Sequence, residues 1–70
     1  MKFEDFMKNV VFYTKDGMHS VLSKNEEEQT VDVCTTPQMF HWNRGDKHFV
    51  DVITLKEEDF ENCRLSNTFL

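Results

Sequence analysis

Val10-Val11-Phe12-Tyr13-Thr14-Lys15 is the strongest strand signal in the chain, and Asp16-Gly17 follows it before Met18 to Ser23 returns. Asp-Gly favours a type I′ turn, whose two central residues need positive φ, so the stretch reads as a β-hairpin. A two-residue turn at Asp16-Gly17 pairs Lys15 with Met18, Thr14 with His19 and Phe12 with Val21. One face then carries Val10, Phe12 and Val21, and the other carries Val11, Tyr13, Met18 and Leu22. Both faces are apolar, so both need cover. A small barrel, a helix on each face, or a second chain supplies it.

The chain has 70 residues, which allows one domain, residues 1–70. A domain this small buries only about 60% of the surface its unfolded chain exposes, so help from a partner chain is expected. Aromatic residues make up 13% of the sequence, too many for a disordered chain. No apolar run approaches the ~20 residues of a membrane span. Glu4 and Asp5 interrupt the start Met1-Lys2-Phe3 at once, which fits neither a secretory signal nor a mitochondrial presequence. The expected location is cytoplasmic, with Cys34 and Cys63 as reduced thiols acting as small hydrophobes.

Residues 2–9 read as a short helix, with Phe3, Phe6, Met7 and Val10 on one face. Lys24 to Gln29 is a polar loop holding Glu26, Glu27 and Glu28. Thr30 to Thr35 alternates and reads as a third strand, ended by Thr36-Pro37. Gln38 to Trp42 reads as a fourth strand and Lys47 to Thr54 as a fifth, joined by a turn at Asn43-Arg44-Gly45-Asp46. Thr54-Leu55-Lys56-Glu57 fits a capping box that opens a helix through Arg64, with Phe60 and Cys63 on one side. No repeat stands out. The predicted fold is α+β: a short N-terminal helix, an antiparallel sheet of about five strands in two hairpins, and a short C-terminal helix.

The layout also resembles the Sm-like RNA-binding family. The run Val-x-Phe-x-Thr-Lys-Asp-Gly over residues 10–17 follows a short helix, and Arg44-Gly45 comes near the fourth turn. In that family an Asp-Gly turn follows the first strand and Arg-Gly opens the last. Asn25 and Gln29 fall near the places of the family's Asp and Asn, and Val21 and Leu22 stand where it has a strand-two glycine. The resemblance implies a small β-barrel that assembles into an oligomer and binds nucleic acid or a nucleotide.

No Gly-x-Ser-x-Gly elbow and no glycine-rich phosphate loop is present. Cys34 with His41, or Cys63 with His48, would supply a thiol and a base, but strand cysteines flanked by valine are typically packed. The expectation is a protein that is not an enzyme, with no catalytic residue and no cofactor. His41 and His48 flank the expected second hairpin without further ligand motifs, and no metal site is expected. Lys15, Arg44 and Lys47 with Tyr13, Phe40 and Trp42 have the residue types of a base-stacking surface. Thirteen acids against eight bases, for a net charge of −5, oppose that use.

Two acidic segments remain. Glu26, Glu27 and Glu28 form one, and Glu57, Glu58 and Glu61 belong to the other; these six residues are the expected docking surface for a protein partner with a basic face. Trp42, Phe69 and Leu70 are the expected interface of a homo-oligomer. The function expected is that of a small intracellular binding protein that inhibits or regulates a partner, a kind of compact acidic domain common among virus-encoded inhibitors.

Overall fold

An antiparallel meander of three strands forms the centre of the computed structural model, which describes residues 1–65. β1 is Val11–Thr14, β2 is Gly17–Asn25 and β3 is Thr30–Thr35. β4 (Ile53–Leu55) pairs with the outer side of β3, and β5 (Arg64–Leu65) pairs with β1. The sheet order is β4-β3-β2-β1-β5. The sheet is open, with β4 and β5 at opposite edges. The closed barrel that the Sm-like layout implied is therefore not formed. The α+β reading holds, with five antiparallel strands and two short helices.

The first hairpin turns one residue earlier than Asp16-Gly17 suggests. Tyr13 pairs with Met18 and Thr14 with Gly17, so Lys15 and Asp16 form the loop. Both keep negative φ, and the positive φ of 118° falls on Gly17, a value strained for any residue with a Cβ. Asp16 N–H donates to Thr14 Oγ1 at 3.1 Å. Phe12 consequently faces His19 rather than Val21. The shift amounts to two residues, so it leaves the expected faces intact. In β2 a bulge at Leu22 separates the Val21–Val33 pair from the Ser23–Asp32 pair. Beyond it, Lys24 opposes Val31, and its Nζ sits 4.1 Å from the centroid of the Phe3 ring.

Each sheet face is covered by the chain itself. One layer buries Phe6, Phe12, Val21, Val31, Val33, Phe60 and Cys63, with Phe3 and Leu55 packed against them. The other buries Leu22, Cys34 and Val50 beneath Met39 and Trp42. The need for cover read from the hairpin is thus met largely within one chain.

Four elements differ from the sequence reading. The expected helix over residues 2–9 is a 3-10 turn, Phe3–Asp5, and Met7 is 64% exposed. Asn9 adopts φ 72°, and Val10 then enters the sheet, its carbonyl accepting from Val21 N–H at 3.0 Å. β-branched Val10 and Val11 favour that extended path.

The expected fourth strand is helix α1, Thr36–Asn43. Pro37 ends β3, and it also lies in the first turn of α1, where its missing N–H is no loss. Lys47–Phe49 is a 3-10 turn, so the expected fifth strand shrinks to β4. The hairpin expected around Arg44-Gly45 does not form; the two hairpins of the sheet are β1–β2 and β2–β3.

The expected C-terminal helix is one turn, α2 (Glu57–Phe60), and its cap is not Thr54. Thr54 Oγ1 instead donates to Asp32 Oδ1 at 2.8 Å, across the β3–β4 pair. Lys56 N–H donates to Asp59 Oδ2 at 3.0 Å, and Lys2 N–H donates to Asp5 Oδ2 at 2.9 Å. Contrary to the expectation of no repeat, Lys2-Phe3-Glu4-Asp5-Phe6 and Lys56-Glu57-Glu58-Asp59-Phe60 share the pattern Lys-x-Glu-Asp-Phe and the same capping bond. Each copy sends its last Phe inward. The Phe6 and Phe60 rings meet at 4.8 Å, and Phe6 meets Phe12 edge-on at 5.3 Å. The amino group of Met1 ties the two copies further, donating to the carbonyls of Phe60 (2.8 Å) and Cys63 (3.2 Å).

Candidate functional site

Three stretches distant in sequence meet at one end of the sheet. The β2–β3 turn is held by Glu28 N–H donating to Asn25 Oδ1 (3.1 Å) and by Gln29 Nε2 donating to the Glu26 carbonyl (2.8 Å). Gln29 has φ 56°, the left-handed conformation that returns the chain into β3. Beside it lie α2 and the N-terminal 3-10 turn. Between them runs an open groove of about 730 Å³ whose walls include Glu4, Asp5, Gln29, Glu57 and Glu61. It continues into a second hollow of about 880 Å³, where Glu28 and Glu58 join Glu57 and Glu61. Phe3 and Phe60, with ring centroids 6.2 Å apart, contribute an aromatic floor to the first groove.

Four of the six expected docking residues, Glu28, Glu57, Glu58 and Glu61, therefore line one continuous surface. Glu26 and Glu27 lie in the turn but line neither hollow. Glu4 and Asp5 belong to the surface and were missed from sequence; the Lys-x-Glu-Asp-Phe repeat was the signal that could have found them. Among the described residues the only ion pair is Arg44 Nε with Asp46 Oδ2 at 3.8 Å. Among the described residues no cation is therefore ion-paired with the groove carboxylates, although Lys2 and Lys56 stand along the groove. Clustered like charges over a low-dielectric aromatic floor create a field that concentrates cations.

The remaining candidates lie elsewhere. Trp42 packs on the second layer, with Lys47 Nζ 4.5 Å from its ring centroid. Phe69 and Leu70 lie outside the described residues. Arg44 stacks over Phe40 at 5.2 Å. His41, on α1, and His48, on the 3-10 turn after it, both abut Phe49, at 5.5 and 4.1 Å. Among the described residues no group of three or more His, Cys, Asp or Glu side chains is placed to hold a metal ion. Among the described residues no helix is long and apolar enough to cross a membrane.

Cys34 and Cys63 are free and buried. Burial pushes the Cys34 thiol above its usual 9.0. Burial likewise raises Cys63, which the Met1 ammonium lowers and Asp59 raises in turn. Each shift reduces the thiolate available at neutral pH for nucleophilic chemistry.

The shifts also set an alkaline limit on stability. Below about pH 8 folded and unfolded chains both largely keep the thiol protons, and the contribution of burial is complete. Above it the unfolded chain releases protons that the folded chain retains, so stability falls until the folded thiols ionise too. Urea midpoints are expected to drop between pH 8 and 10, and to drop less steeply in Cys34→Ala. Equal slopes in the two proteins would contradict the assignment.

No protein-family model, curated protein or solved structure matches the chain.

Proposed function

We propose that this chain is a binding protein whose acidic groove docks a basic segment of a partner protein, and that it inhibits or regulates that partner by occupying its basic surface. The observation carrying this reading is the convergence, from three separate segments, of Glu4, Asp5, Glu57 and Glu61 around the Phe3–Phe60 floor, with Glu28 and Glu58 in the adjoining hollow. Arg and Lys suit such a surface, because their charged heads meet carboxylates while their stems lie on aromatic rings. Within the chain itself the Lys24 ammonium sits over the Phe3 ring, Nζ 4.1 Å from its centroid.

The test separates groove charges from turn charges. Glu28→Lys, Glu57→Lys and Glu61→Lys combined should weaken capture of the partner from native cells at least about tenfold, a change of ~1.4 kcal/mol. Glu26→Lys with Glu27→Lys, outside the groove, should leave capture unchanged. Both variants should stay folded by circular dichroism, since exposed charges contribute under ~1 kcal/mol each. Nuclease treatment should not release the partner. Equal loss in the two variants, or none in the first, removes the groove from consideration.

Self-association is the second element of the proposal, and two exposed aromatics favour it. Phe40 and Phe49 are 61% and 59% exposed on the outer side of the α1 layer. Apolar surface of this kind is commonly closed by two-fold pairing. Sedimentation equilibrium at micromolar concentration is expected to show a species above the 8.4 kDa of one chain. Phe40→Ser with Phe49→Ser should return it to a monomer.

A further inference from the structure

The face that buries Phe6 and Phe12 is not covered along its whole length. Toward the β1–β2 turn, a pocket of about 300 Å³ lies between that turn, β4 and the stretch from Asp59 to Cys63. Phe12, Val33, Ile53 and Leu55 supply its apolar lining. Ile53 is 42% exposed there, beside its strand partner Val33 at 1%.

His19 also lines this pocket, and it is only 6% exposed. Its ring stacks on Phe12, with centroids 5.6 Å apart and planes 23° from parallel. Its Nδ1 is 3.2 Å from the Gly17 carbonyl oxygen. A carbonyl only accepts, so Nδ1 is the donor of this bond, and Nε2 is an acceptor whenever the ring carries that proton alone. Nε2 has no hydrogen-bond partner among the described residues.

We propose that this pocket binds a small, uncharged aromatic molecule bearing a hydroxyl or ring N–H, its ring against Ile53 and Leu55, behind which Phe12 and Val33 are buried, and its donor on Nε2 of His19. The volume suits one ring or a fused pair, at the lower end of the roughly 300–1,000 Å³ of ligand sites. The rim carries both signs, Lys15 against Asp16 and Asp59, and so does not select an ion. The site is separate from the acidic groove and does not depend on its role.

The test is a titration of the ¹⁵N-labelled full chain with phenol and with indole, followed by amide and imidazole resonances. Toluene, which lacks the donor, is the comparison. Both donors should shift the amides of Phe12, His19, Val33 and Ile53 saturably and should move the His19 Nε2 signal. Phenol should bind about fivefold more tightly than toluene, the factor one net hydrogen bond supplies. His19→Phe keeps the ring and removes the acceptor, so phenol and toluene should then bind equally. Shifts that do not saturate, shifts elsewhere, or equal affinity for phenol and toluene in the unaltered chain would overturn the proposal. A phenol preference that survives His19→Phe would do the same. Should that variant not fold, the phenol–toluene ratio and the Nε2 signal of the unaltered chain still decide.

Discussion

Phe6→Ala removes most of the stability of this domain: the expected loss is about 3–5 kcal/mol, from lost burial and the cavity left behind. At ~0.05–0.15 kcal/mol per residue, a chain of this length holds only some ~4–10 kcal/mol in all. Phe6 is fully buried, and it is the ring through which the N-terminal turn reaches both the sheet, at Phe12, and α2, at Phe60. No neighbour can collapse into its place without drawing one of those elements off another. Urea denaturation followed by circular dichroism measures the loss. Phe6→Leu keeps most of the volume and should cost far less. An alanine variant within about 1 kcal/mol of the unaltered chain would mean that the Phe6–Phe60 contact does not hold the layer together.

Leu22→Ala should cost about 2–5 kcal/mol, with a different spatial signature. Leu22 is the bulge residue of β2, and its buried side chain belongs to the thinner layer with Cys34 and Val50, under Met39 and Trp42. That layer holds α1 to the sheet. Truncating Leu22 removes the surface on which Met39 and Trp42 rest, while the Phe6 layer across the sheet stays intact. Amide hydrogen exchange should therefore accelerate more in α1 than in β1 to β3, because local opening of the helix becomes easier than global unfolding. Uniform acceleration through all these elements would show that the two layers open as one unit.

The central strands were legible from sequence because their signals are local. Thr30 to Thr35 alternates cleanly, and β3 has those bounds. The hairpin faces were read correctly although the register was not. An Asp-Gly pair can centre a turn or close it, and the two cases differ here by a whole pleat period. Residues 36–52 were misread for a physical reason. Pro37 is an equally good end to a strand and start to a helix, and Met39, Phe40 and Trp42 fit either periodicity in so short a window. The hollow around Leu22 and Cys34 resolves the ambiguity, and that is a property of the assembled sheet. The acidic site divides in the same way. Glu57, Glu58 and Glu61 were visible as one helical cluster. That Glu28 joins them while Glu26 and Glu27 do not depends on the Gln29 conformation, and that Glu4 and Asp5 join depends on where the N-terminal turn crosses.

The strand order β4-β3-β2-β1-β5 carries a consequence for the time course of folding. Both edges of the sheet come from residues beyond 52, whereas β1, β2 and β3 are consecutive and pair through tight turns. Pairings between chain neighbours pay little loop-closure entropy and form quickly. The centre therefore condenses first, and the two edges are laid on afterwards, one on each flank. Phe6 must wait for Phe60, which lies 54 positions further along the chain and arrives only with α2. Until then the nascent sheet displays its aromatic face to solvent with both flanks unpaired. This is the interval in which a chain of this topology is most exposed to intermolecular pairing. The brevity of β4, three residues, leaves little of that edge for a stranger to join once it is in place.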